Sequence, residues 1–144
     1  MPRRARKDKR HQPSEKKQPV IAETPVTNRT VQWCFRLFDD LEWNDDPDSE
    51  ESFRKVAIYL KDYSSRTWGQ IEQNKKRDHA VKVSHLISKA QQRLEELKLG
   101  DHDLLWRFRF DGCKRIWGIR HGHVFRVLWW DPEHRICPSQ KSHT

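Results

Sequence analysis

The sequence predicts an α+β domain in the order β-α-α-β-β-β, an antiparallel sheet with two helices packed on one of its faces. Three observations carry this prediction. Strand-like alternation runs through Leu104 to Phe110 and resumes after each of two turn pairs, Asp111-Gly112 and His121-Gly122. Two apolar stripes at helical spacing lie upstream of that meander. The length, 144 residues, is that of one domain. With 34% hydrophobic against 35% charged residues, a core forms only if part of the chain stays outside it, and 7 Trp and 6 Phe give the remainder enough to bury.

Residues 1–29 carry nine Lys and Arg against Asp8, Glu15 and Glu23, together with four prolines, and are expected to form a disordered basic tail. The folded domain is expected over residues 30–138, with a flexible C-terminus at 139–144. Residues 30–38, rich in aromatic and β-branched side chains, predict the first strand. An acidic stretch from Asp39 to Glu51 follows, ending in Asp48 and Glu51 at capping-box spacing. Phe53, Val56, Ala57, Leu60 and Tyr63 then predict the first helix. Thr67 and Gln70 repeat the cap signal before a short turn that carries Trp68 and Ile71 inward, and Lys75, Lys76, Arg77 and His79 read as a basic loop. Val83, Leu86, Ile87, Ala90, Leu94 and Leu97 predict the second helix, with Gly100 as its C-terminal cap. Leu104–Phe110, Cys113–Arg120 and His123–Trp130 are the three strands of the meander, and Asp131-Pro132 ends the last.

Net charge is +8, a field that favours polyanions, nucleic acid first. No run approaches the roughly 20 apolar residues of a membrane span, and no apolar stretch follows the basic N-terminus, so a soluble cytoplasmic protein with no membrane partner is expected. Cys34, Cys113 and Cys137 are odd in number and contain no CxxC pair, which reads as reduced thiols rather than a disulfide framework or a zinc site.

Helices on one face leave the other open, and Arg107, Arg109 and Arg126 are expected to form a cross-strand stripe there, with Trp130 beside them to stack a base. That stripe holds RNA phosphates, or it is a solvated face, or it docks an acidic segment of a partner. Arg115 and Lys114 open the next strand, with their facing undecided. Lys75, Lys76, Arg77 and His79 are either a solvated loop or a contact to the nucleic-acid backbone. His121 and His123, with Arg120 beside them at the hairpin, are exposed turn residues, or serve phosphate or proton transfer, or begin a metal site for which no third ligand lies nearby. Trp33, Trp68, Trp106, Trp117 and Trp129 fall on apolar stripes and read as core. RNA cleavage without a metal needs a base for the 2′-hydroxyl, cations for the phosphorane and an acid for the leaving oxygen, roles that His and Arg supply. His134 fits the base or the acid, or simply hydrogen-bonds the chain end.

The element order, the basic meander and the His134-Arg135 ending resemble the RelE/ParE toxin superfamily of bacterial toxin–antitoxin systems. Arg115-Ile116-Trp117-Gly118 and the run from Val124 through Trp129-Trp130-Asp131-Pro132-Glu133-His134 to Pro138 resemble the C-terminal part of uncharacterised bacterial proteins near that superfamily. The resemblance implies a small toxin neutralised by an antitoxin protein, either a ribosome-dependent endoribonuclease or, in the ParE branch, an inhibitor of DNA gyrase. It places His134, Arg135, Arg126 and Arg115 at catalytic positions. The Tyr-ended version of the family's site does not transfer, because no Tyr lies beyond Tyr63. The expectation is therefore a metal-independent mRNA endonuclease that needs no cofactor, with RNA or the ribosome and an antitoxin as partners. The alternatives are a non-catalytic gyrase inhibitor or RNA- or DNA-binding module of the same fold, and an inactive domain whose basic surface binds an acidic partner.

Overall fold

The longest strand, β5 (Val124–Asp131), lies inside the sheet, pairing antiparallel with β4 (Arg115–His121) and parallel with β1 (Gln32–Cys34). In this computed structural model, which describes residues 24–43 and 49–138 without the side chains of 49–53, β3 (Leu104–Arg109) and β2 (His79–Lys82) complete a five-stranded mixed sheet ordered β1-β5-β4-β3-β2. The helices are α1 (Ser49–Ser64), α2 (Trp68–Glu72) and α3 (Ser88–Glu96). The expectations for residues 1–23, for the Asp48–Glu51 cap and for 139–144 lie outside the described residues. Thr24 to Arg29, assigned to the tail, includes a 3-10 turn at Val26–Asn28, and the Arg29 carbonyl accepts the Trp68 backbone N–H at 2.9 Å.

An α+β domain is what forms, but the sheet is mixed and the helices cover both faces. On one face Phe108, Ile116, Phe125, Val127 and Trp130 meet Tyr63 of α1 and Trp68 and Ile71 of α2. On the other Leu105, Trp117, Ile119, Leu128 and Trp129 meet Ala90 and Leu94 of α3, with Ile136 from the chain end. Val124 to Trp130 is nearly continuous in apolar residues, as a strand buried on both sides must be. Phe108 sits at the centre of an aromatic cluster, with Tyr63 and Phe125 ring centroids both 4.9 Å away.

A β-bulge decides which β5 side chain faces which layer. Trp117 pairs with Trp129 but Gly118 with Val127, so Leu128 is the extra residue. Leu128 and Trp129 both enter the α3-side core, and Trp130 turns to the opposite face. Gly118, opposite the bulge, is required sterically: a Cβ there would lie 2.6 Å from the Phe125 ring.

Three element boundaries differ from expectation for identifiable reasons. The first strand stops at Cys34 rather than Phe38, because Asp39 draws the chain inward: its N–H donates to the Leu128 carbonyl, and its carboxylate accepts from Arg93 and from Trp129 Nε1, each at 2.9 Å. The basic loop ends in a strand, His79–Lys82, paired with β3. The second helix starts at Ser88, not Val83, because Val83–His85 is a 3-10 turn and Ile87 is extended, its N–H donating to the Ile136 carbonyl. The Thr67–Gln70 capping box forms as its spacing implies.

The α3 helix ends in a Schellman pattern, with Leu99 N–H on the Leu94 carbonyl and Lys98 N–H on that of Glu95. The left-handed residue is Lys98 (φ 61°), not the expected Gly100. Lys98→Gly is therefore expected to stabilise the fold by about 1 kcal/mol in a urea unfolding experiment; no gain would mean that Lys98 makes compensating contacts.

Candidate nucleic-acid interface

The register fixes where each basic side chain goes. His79 pairs with Arg107, and Arg109 with Arg115, so all four project from the α3 face of the sheet, at the end where Arg115 meets Asp131. Arg115 is 5% exposed. Its Nη1 donates to the Gly112 and Lys114 carbonyls, while its Nε is buried with no partner. Arg107 Nη2 donates to the Arg77 carbonyl at 2.9 Å, and its Nε is likewise buried and unmet. Among the described residues none of Arg107, Arg109 and Arg115 is in an ion pair.

The nearest carboxylates are already occupied by other donors. Asp131, fully buried, accepts from Trp117 Nε1 at 3.2 Å, Arg135 N at 2.8 Å and Ile136 N at 3.1 Å. Asp78 accepts from Tyr63 Oη and from the Arg109 N–H. Burial lowers the Arg115 pKa to about 10, and the charges of Arg107 and Arg109 add to the effect. Burial raises Asp78 and pushes Tyr63 up to about 12.

Asp131 also shapes the chain beyond β5. By accepting from Arg135 and Ile136 it folds residues 132–137 back over the α3 face, where Ile136 is buried and His134 takes a left-handed conformation (φ 57°). The half-buried His134 ring lies within electrostatic reach of Arg115 and Arg107. Burial first and Arg115 second lower its pKa below 6.5, so the imidazole is neutral at neutral pH. Its Nε2 is buried without a partner. Such an orphaned polar atom costs about 1–3 kcal/mol.

The arrangement brings His134, Arg115, Arg107 and Arg109 together, with His79 and Cys137 at the margin, since Arg107 bears on both. It separates the rest. Trp130 is buried against Phe110 on the α1 and α2 side, so the expected base-stacking position beside the arginines is corrected: the bulge reverses its facing. Arg126 shares the α3 face but pairs with Ile119, about 13 Å along the strand from Arg115. Arg135 is exposed. Lys114 lies in the β3–β4 turn, its carbonyl accepting the Phe110 N–H.

Arg120 projects from the opposite face, its guanidinium 3.8 Å from the Trp68 ring and 3.0 Å from Glu72. His121 and His123 sit at the far end of the β4–β5 hairpin, where the His123 carbonyl accepts from Trp68 Nε1. Arg77 is bound inward to Tyr63 Oη, whereas Lys75 and Lys76 are exposed and their carbonyls hold His79 and Arg107. Two carboxylates of the acidic stretch are engaged by basic residues of the domain: Asp39 is taken by Arg93, and Glu42 pairs with Lys89. Among the described residues no group of three or more His, Cys, Asp or Glu is placed to hold a metal, the three cysteines are unpaired, and no helix is long and apolar enough to cross a membrane.

Sequence reasoning missed Asp131 as a residue that shapes the site, and it placed His79 on a loop rather than on a strand beside Arg107. The first read only as a strand breaker, although an Asp four and five residues before two further backbone N–H groups is able to cap the turn between them.

Three guanidinium groups without a bound carboxylate suit an anion, and if they hold one, millimolar inorganic phosphate at fixed ionic strength is expected to raise the melting temperature, increasingly with concentration. The Arg115→Gln variant should lose that rise, and an equal rise in the variant would place the anion elsewhere. Compared with protein-family models, curated proteins and solved structures, the chain matches none.

Proposed function

We propose that this chain is a RelE-like toxin, a metal-independent endoribonuclease that cleaves mRNA at the ribosome and is held in check by an antitoxin. The observation that carries the reading is Arg115, buried and without an ion pair, packed with two further arginines beside a neutral histidine. A buried cation is costly unless it is paired, and the neighbouring Asp131 carboxylate is taken by other donors, so a ligand can supply the partner. A phosphodiester does so, and the guanidinium fork matches its oxygens.

In this reading His134 takes the 2′-hydroxyl proton as the oxygen attacks phosphorus. Arg107 and Arg109 stabilise the charge that develops on the phosphorane. The P–O5′ bond then breaks, and the leaving oxygen takes a proton from Arg115, whose pKa near 10 makes it a stronger acid than an ordinary arginine. Solvent exchange returns the proton from His134 to Arg115. The products are a 2′,3′-cyclic phosphate and a 5′-hydroxyl.

A second reading, a non-catalytic protein that binds RNA, DNA or gyrase through the same cluster, is favoured by one observation: His134 Nε2 is buried in the free chain. The two readings part on induced expression with transcript 5′-end mapping. The nuclease yields new ends that His134→Ala abolishes, a loss of about 10²–10⁴ in rate. Growth arrest without new ends, or ends that persist in a folded mutant, contradicts it.

The pH dependence follows from the direction of the shift. A base must be deprotonated, so a pKa lowered below 6.5 puts the pH at which kcat/KM falls to half on the acid side of 6.5. A half-fall above pH 6.5 would exclude free His134 as the base.

A further inference from the structure

Trp106 lies in the sheet between its two smallest cross-strand neighbours, Ala80 on β2 and Gly118 on β4. Phe125 fills the space over Gly118, and Trp68 and Phe108 lie against the Trp106 ring, but Ala80 is exposed on the edge strand and the indole is only half-buried. Two surface cavities, of about 360 and 200 Å³, share Trp106 and Ala80 as lining. The first reaches Arg120 and Asp103, the second Lys75 and His79. The Arg120 guanidinium stands 5.2 Å from the Trp106 ring and 3.8 Å from that of Trp68, held there by Glu72. Trp106 Nε1 is buried and meets no acceptor among the described residues.

We infer that this edge of the sheet is a nucleobase subsite, in which a single unpaired base packs against Trp106 over Ala80. A flat indole, a fixed guanidinium and a concave wall, whose larger cavity alone reaches the size range of ligand pockets, are the components that hold a splayed-out base. Lys75 at the rim suits the phosphate of the same nucleotide. The subsite adjoins the arginine cluster around the edge of β2, because His79 lines the smaller cavity and feels the charge of Arg107. A strand whose phosphate lies on Arg107 can thus turn one base around the short strand β2 into the pocket.

The inference rests on the RNA reading for its ligand but not on cleavage. The test therefore uses the full chain carrying His134→Ala, with and without Ala80→Leu, which fills the space before Trp106 at an exposed strand position. Fluorescence anisotropy is measured with a labelled five-nucleotide RNA and with the same oligomer made abasic at each position in turn. One abasic position is expected to weaken binding at least about fivefold, the low end of what a stacked base contributes. Ala80→Leu should erase that difference while leaving the phosphate-induced rise in melting temperature intact. Equal affinity at every abasic position, or a base dependence that survives Ala80→Leu, overturns the subsite. Should the RNA not bind at all, adenosine alone is titrated while the Trp106 indole proton is followed by NMR. An unmoved signal also overturns it, and a shift that Ala80→Leu abolishes upholds it with the phosphate site excluded.

Discussion

The buried carboxylate of Asp131 ties the end of β5 to everything that follows. It takes one hydrogen bond from the core, Trp117 Nε1, and two from the returning chain, Arg135 and Ile136. Hydrogen bonds to a charged group are each worth about 1.5–3 kcal/mol, and removing the acceptor would strand three donors. Ile136 fills the α3-side core only because this turn holds, and its carbonyl then anchors Ile87 at the start of α3. His134 is carried to the arginines by the same turn.

Asp131 has a counterpart in Asp39, which accepts from Trp129 Nε1 and from Arg93 of α3. Trp117 and Trp129 are register partners on adjacent strands, and each directs its indole N–H to a different carboxylate. Asp39 is paired with a guanidinium, and the pairing outweighs its burial and lowers its pKa. Asp131 is satisfied by neutral donors, so Arg115 is left beside a carboxylate that it does not bind. One polar anchor is thus electrically closed, and the other leaves cationic charge open to a ligand.

Much of this was legible in the residues, and the remainder was hidden for physical reasons. The meander, the Thr67 cap and the buried tryptophans follow from local spacing, which tertiary contacts did not override. The β2 strand was masked because His79 to Lys82 is short and polar at alternate positions, as an edge strand is, and it follows a basic turn. The facing of Trp130 was misread because alternation assumes an unbroken register. One bulge at Leu128 shifts every later residue of β5 to the other side. The apparent helix start at Val83 combined a 3-10 turn with α3, both of which face one core. Of the candidate site, Arg107, Arg109, Arg115 and His134 were named from sequence and prove to be neighbours. Arg120, His121 and His123 share the charge of that cluster, but the His121-Gly122 turn that the sequence marks puts them at the other end of β4 from Arg115.

The central claim is that burial, and then the charge of the arginine cluster, hold His134 neutral at a site waiting for a phosphodiester. Its most direct test is an NMR titration of the His134 imidazole, free and with a 2′-deoxy dinucleotide that cannot be cleaved. The account predicts a pKa below 6.5 in the free protein that rises when the dinucleotide's phosphate offsets the arginine charge. A value at or above 6.5 that the dinucleotide leaves unchanged would contradict it.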